Sequence, residues 1–389
     1  MKKLALVLLT SLALSACNNK DSASPSSAGT PTDGSAVTVE IGFSAPLTGP
    51  QSHYGQEYKN GVEMAIEEAN AEGIKLNGSP VTFKLVPEDD MADPKTATQV
   101  AERLVDKGVA GVIGHFNSGS AIPASQIYND ASIPNISMCT SPKYTELGYA
   151  NNFRSLTSDK QSGSLLGKYV IEKLGAKKIA IIDDRTAYGQ GLADEFEKAV
   201  KDAPGVTILA RQFTTDKATD FQSILTAIKN GEPDVVFYGG ADPQSGPMAK
   251  QMKRLGIKAP LVSGEMTKTP TFIDIAGQDA EGTIASLAGL PLDQMPHGKE
   301  YADKYKTKYN TEVATYSPYG YDATKAMIQA MKEANSADPK VYLPKLKAIH
   351  VKGVTSEDWS YDDKGDLNNA SLTIYKVENG KWAVVEVIK

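Results

Sequence analysis

Two hydrophobic periods alternate along this chain, and that alternation limits its fold more than any other feature. Val37, Val39, Ile41 and Phe43 are separated by Thr38, Glu40 and Gly42, the period of a strand with one buried face. From Tyr54 to Ala71, the residues Val62, Ala65, Ile66 and Ala69 recur at helical spacing, with Glu63, Glu67 and Glu68 elsewhere on the wheel. The rhythm continues with a strand over 81–86, a helix over 94–107, a strand over 110–113, a helix over 121–130 and a strand over 133–137. A second run starts with a strand over 178–182 and adds a helix over 190–201, a strand over 206–210, a helix over 221–229 and a strand over 234–238. A strand, a helix and a second strand in sequence need a crossover, and crossovers make the sheet parallel. Helices over 243–255, 298–309 and 319–334, a short strand over 261–263, and a terminal strand pair over 371–377 and 382–388 complete the pattern. The expected fold class is α/β, with two doubly wound parallel-sheet lobes and no flexible linker between them. Such lobes take a small ligand in the cleft between their strand ends.

The chain has 389 residues, which at about 150 per domain suggests two domains or three. Apolar residues make up 41% and charged residues 23%, which excludes wholesale disorder and a polytopic membrane protein. Lys and Arg number 41 against 47 Asp and Glu, a net charge of −6, and the basic residues are dispersed rather than gathered into a stripe. No nucleic-acid partner is expected. The opening MKKLALVLLTSLALSAC places two lysines before an apolar segment too short to cross a bilayer, which reads as a signal peptide over 1–16. Its end, Leu14-Ser15-Ala16-Cys17, resembles the lipobox of bacterial lipoproteins, which implies lipidation of Cys17 and an exported, membrane-anchored protein in the periplasm or at the cell surface. An ordinary leader cut near Ala16 is the alternative. Residues 17–36 then form the anchor and a polar, flexible spacer.

Tests for enzyme chemistry find little. No HExxH, GxSxG or GxxxxGK[ST] occurs, so no metal site and no cofactor are expected. The turn YGQGLAD follows a strand as a dinucleotide turn does, but lacks the third glycine. The acidic runs Glu88–Asp93 and Asp362–Asp366 lack the spacing of a calcium loop and read as solvated turns. With Cys17 lipidated, Cys139 has no disulfide partner; it reads as a small buried residue rather than a nucleophile. His115, alone at a strand end beside Gly114, reads as a structural hydrogen-bonder.

Three sites stand out on physical grounds. Ser118 and Ser120 follow a strand and open a helix, where N–H groups and hydroxyls converge at the positive end of the helix dipole. They fit a carboxylate, or simply a helix cap. Glu265 follows the 261–263 strand, and Asp242 stands at a strand end after two glycines, where it serves either a pocket or as a cap before Pro243.

The segments IGFSAPLTGP, YGQEYKNGVEMAIEEAN, VIGHFNSGSAIPASQIY, IPNISMCTSP, DRTAYGQGLAD, FYGGADPQSGP and YGYDATKAM resemble, in order, those of the branched-chain amino-acid binding proteins of bacterial ABC transporters. The resemblance implies a type I periplasmic binding fold with three crossovers, residues 37–157 with 287–361 forming lobe one and 158–286 with 362–389 forming lobe two. It implies a non-enzymatic solute-binding protein that closes on a free amino acid, neutral and branched, and hands it to an ABC permease. Thr140 then joins Ser118 at the ligand carboxylate, while Glu265 and the Met138 carbonyl meet the ammonium. Tyr54, Phe116, Tyr188 and Tyr316 surround the ligand. A disulfide of the family's well-known members is missing, Ala92 and Asn117 standing at its positions. Ala241 replaces an aromatic residue and Met138 a smaller one. A receptor for an amide, urea or aromatic acid is the alternative in the same fold, and a hydrolase served by Glu265 or Cys139 is the alternative outside it.

Overall fold

The computed structural model describes residues 36–368 and 371–388; the expected leader, Cys17 and nearly all of the spacer lie outside the described residues. The chain first lays down β1 (Val37–Ala45), α1 (Ser52–Ala71), β2 (Lys75–Leu76), β3 (Ser79–Asp89), α2 (Pro94–Lys107), β4 (Gly111–Gly114), α3 (Ser118–Asp130), β5 (Asn135–Ser137), α4 (Lys143–Glu146) and β6 (Asn152–Arg154). These strands form one sheet in the order β2-β3-β1-β4-β5-β6, parallel except for the edge strand β2.

The chain then passes to a second layered unit. It contains α5 (Asp159–Glu172), β7 (Lys178–Asp183), α6 (Ala187–Val200), β8 (Thr207–Phe213), α7 (Gln222–Lys229), β9 (Val235–Gly239), α8 (Asp242–Arg254), β10 (Leu261–Ser263), α9 (Pro270–Ala276) and β11 (Ile284–Ala288). Next come α10 (Gly298–Tyr309), α11 (Ser317–Ala334) and α12 (Pro339–Lys347), which return to the first sheet. Tyr342 of α12 donates to the Ala110 carbonyl at 2.8 Å, and α11 lies along α1. Finally β12 (Leu372–Glu378) and β13 (Lys381–Ile388) complete the second sheet, ordered β13-β12-β11-β10-β9-β7-β8.

The two sheets and their helices are the expected α/β lobes, with one refinement. β12 and β13 run antiparallel, so the second sheet is mixed. Asn379 and Gly380 join them with φ of 55° and 71°, the two-residue turn whose twist suits a hairpin.

Two of the expected lobe divisions fall within bonded segments. The division at 286/287 falls inside β11, which stays paired to β12 up to Ala288. The division at 361/362 precedes residues still bonded to the first sheet. The Arg154 N–H donates to the Gly365 carbonyl at 2.9 Å, and the buried Arg154 guanidinium pairs with Asp366 at 2.7 Å. Strand pairing holds the chain in the second sheet as far as Ala288, and bonds to Arg154 and Ser360 hold residues 365, 366 and 368 beside the first.

This topology gathers chemistry at strand ends. The carboxyl ends of β4 and β5 in one lobe, and of β7, β9 and β10 in the other, carry the expected ligand contacts except Tyr54 and Tyr316, as expected for doubly wound sheets.

Candidate ligand-binding site

The serine turn begins at Gly114, whose φ of 123° only glycine adopts readily; a Cβ there would lie 2.2 Å from the Ser44 carbonyl oxygen. Beyond it, Asn117 is the N-cap residue of α3, but no side chain caps the helix. Ser118 is the first residue inside the helix, and its Oγ meets only the Ser141 N–H, at a long 3.4 Å. The Ser120 hydroxyl is buried without a partner. Neither serine caps α3. Unspent donors at a helix start are an anion-binding arrangement. No disulfide is needed to hold the turn, because Asn117 Nδ2 donates to Gln51 Oε1 at 2.7 Å and the Ala92 N–H donates to Asp90 at 3.0 Å.

Below the turn, His115 bonds Asp90 through Nδ1 at 2.7 Å and Tyr128 through Nε2 at 3.0 Å. Both ring nitrogens are engaged and the ring is buried, which is a structural role. Cys139 is fully buried, and burial pushes its thiol up to about 11, the opposite of an activated nucleophile.

Across the cleft, Glu265 follows β10 and is 5% exposed. Burial pushes its carboxyl up to about 7. The Tyr188 hydroxyl lies near it but lacks hydrogen-bond geometry with any partner. A second acid, Asp159, was not legible as a site residue. It opens α5 behind Thr140, whose carbonyl accepts the Asp159 N–H at 2.8 Å. Both Asp159 carboxylate oxygens are buried without geometric partners, and burial, followed by the charge of Glu265, raises its carboxyl well above the usual range. Two carboxyls that are costly to ionise thus stand near each other, a setting that a cation relieves.

The aromatics form one cluster. Phe116 stacks on Tyr54 with centroids 5.5 Å apart and meets the edge of Tyr316 at 4.9 Å. Tyr54 reaches across the lobes, donating to the Met266 carbonyl at 2.5 Å and accepting from the Asp242 N–H at 3.2 Å.

Seven of the ten expected ligand contacts converge on one space: Ser118, Thr140, Met138, Glu265, Tyr188, Phe116 and Tyr316. Asn117, Leu156 and Met266 also line it. Tyr54 stands behind Phe116, and Ser120 lies deeper in α3. Asp242 does neither thing expected of it. Ala241 is the N-cap of α8, and the buried Asp242 carboxylate instead bonds His53 Nε2 of the other lobe at 2.8 Å and Thr269 Oγ1 at 2.5 Å. The space is tight. It holds about 240 Å³ between atoms, of which only about 10 Å³ admits the centre of a water molecule. On the measure that gives this space about 10 Å³, a roomier cavity of about 470 Å³ lies where the passages between the lobes meet. The smaller space is the better candidate, because unpaired buried hydroxyls and carboxyls gather there.

Two lobes joined by several crossings, with polar groups at strand ends facing a cleft, define a two-lobed ligand-binding protein. Residues 38–381 match the family model described as periplasmic binding protein, and the chain belongs to that family. Among curated relatives it is 36% identical to the Leu/Ile/Val-binding protein homolog 1 of Brucella suis, over 88% of this chain and 91% of that protein. It is 32% identical to the leucine-, isoleucine-, valine-, threonine- and alanine-binding protein of Pseudomonas aeruginosa, over 88% of this chain and 90% of that one. Among solved structures it resembles the branched-chain amino acid transporter substrate-binding protein of Streptococcus pneumoniae in complex with isoleucine. There the TM-score is 0.82 at 26% identity, covering 91% of this chain and all of that one.

Proposed function

We propose that this protein is the solute-binding component of an ABC importer, lipid-anchored through Cys17 outside the cytoplasm, and that it captures a free neutral, branched-chain amino acid. The observation that carries the reading is the meeting of two opposite polar ends at one small space. One end has an uncapped helix start with Ser118 and Thr140; the other has Glu265, with Asp159 behind. A zwitterion matches both. The apolar wall of Phe116, Met138, Leu156, Met266 and Tyr316 suits a hydrocarbon side chain. The named relatives support the same ligand class.

The two ends come from different lobes. Binding to one and closing onto the other couples occupancy to hinge closure, and the closed form is the one a permease would recognise. With so little free space, the lobes part to admit the ligand. No catalytic step is assigned to any residue.

The test is a thermal-shift panel of the common amino acids, with amides, urea and benzoate as controls, followed by calorimetry on the hits. Leucine, isoleucine or valine should raise the melting temperature and the controls should not, while none is turned over. Stabilisation by benzoate or an amide alone would sink the amino-acid reading.

A further inference from the structure

We propose that Leu156 sets the length of side chain this site accepts, because it is the partition between the binding space and the larger cavity at the hinge. This rests on the amino-acid reading above. Leu156 lies two residues beyond β6, in the first passage between the lobes, and is 1% exposed. Among the described residues it is the one that lines both spaces. On its binding side stand Met138 and Tyr316. On its hinge side is about 470 Å³, walled by Leu290, Tyr319, Trp359 and Leu367 and edged by the hydroxyls of Thr355 and Ser371.

The argument is one of room. The serine turn and Glu265 fix the two charged ends of an amino acid, so its side chain must occupy whatever volume remains. The binding space as a whole leaves room for about one water, whereas a cavity of about 470 Å³ lies on the other side of Leu156. Leu156 in place stops a side chain at aliphatic length. Shortening it opens the site into a cavity whose apolar and aromatic walls suit a ring. A pocket that gains or loses a methylene's worth of room discriminates between ligands by about 10- to 200-fold.

The test compares wild type with Leu156→Ala and the milder Leu156→Val, using calorimetry with leucine and with phenylalanine. The wild type should prefer leucine. Leu156→Ala should weaken leucine about tenfold and strengthen phenylalanine about tenfold, with Leu156→Val moving the ratio the same way by less. A leucine-to-phenylalanine ratio unchanged in both variants overturns the proposal. If Leu156→Ala does not fold, as its melting curve would show, the ratio for Leu156→Val decides alone. If the wild type binds neither amino acid, the functional reading has failed, and the partition is judged by the crystal structure of Leu156→Val. One continuous cavity there supports it; two separate spaces overturn it.

Discussion

Replacing Glu265 by Gln keeps its shape and removes its charge, and the structure gives the effect a magnitude. Burial raises the carboxyl from 4.5 to about 7, a shift of 7 − 4.5 = 2.5. At about 1.4 kcal/mol for each unit, ionising this group in the cleft costs about 3 to 4 kcal/mol. An ammonium beside it recovers that energy. Glu265→Gln should therefore weaken amino-acid binding by about 3 to 4 kcal/mol, within the about 2 to 5 kcal/mol typical of truncating a buried charged pair, or a few hundred-fold in Kd.

Two further signatures follow from the direction of the shift. Without ligand, the folded protein holds a proton that the unfolded chain has already released between the ordinary carboxylate range and about pH 7. Stability from this group therefore falls as pH rises through that window. Glu265→Gln lacks the penalty, so the ligand-free variant should be more stable than wild type above about pH 7 by at most about 3 to 4 kcal/mol, and equal to it near pH 4.5. With ligand, wild type must expel the proton to bind an ammonium, so its affinity should drop as pH falls below about 7, and more steeply than the variant's, in which only Asp159 remains to titrate. Calorimetry from about pH 5 to about pH 8, with thermal melts of both proteins, measures all three. A Kd within twofold of wild type, together with a flat wild-type pH profile, would refute the placement of an ammonium at Glu265.

Three other outcomes are expected. Ser118→Ala should weaken binding by about 1 to 3 kcal/mol with little change in melting temperature, since its hydroxyl caps nothing; a lower melting temperature at unchanged affinity would assign the serine to folding instead. His53→Gln removes the imidazole that bonds the buried Asp242 across the lobes and should speed ligand release by about tenfold in stopped-flow measurements; an unchanged release rate would mean the pair does not hold the lobes together. Cys17→Ala should yield soluble protein that still binds ligand, because two acyl chains are what make the attachment stable; persistence in the membrane fraction would contradict lipid anchoring.

Some of this molecule was legible in its residues because local chemistry and tertiary position agree. The helix over 94–107 is bounded as expected: Asp93 accepts from the Thr96 N–H, Pro94 takes the first turn, and Gly108 ends it at φ 74°. β6 gave no signal, since its three residues, Asn152, Phe153 and Arg154, show no period, and two of them are polar yet buried. They lie inside only because partners arrive from far along the chain: Asn135 for Asn152, Asp366 for Arg154. The helix α5 was missed for a related reason. Its two glycines, Gly163 and Gly167, argue against a helix in isolation, but a Cβ at Gly163 would lie 2.8 Å from the Glu195 side chain and the Phe196 nitrogen of α6. Close helix packing is why the glycine is there.

The same distinction explains the site. Ser118 and Glu265 were candidates because each follows a recognisable strand, and strand ends meet the cleft, whereas Thr140 came from the family resemblance alone. That rule left Asp242 between a pocket and a helix cap, whereas its carboxylate bonds His53, 189 residues away and on the other lobe, a partner no local pattern announces. Asp159 and Leu156 follow a strand too short to read, so both were invisible, yet they stand on the first passage between the lobes. Residues in that position touch the ligand space and the hinge together. The acid adds to the cost of a closed cleft without a cation, and the leucine limits what the cleft can hold once closed. On the proposed function, ligand charge and ligand size would both be sensed where the lobes join, which would link the choice of ligand to hinge closure.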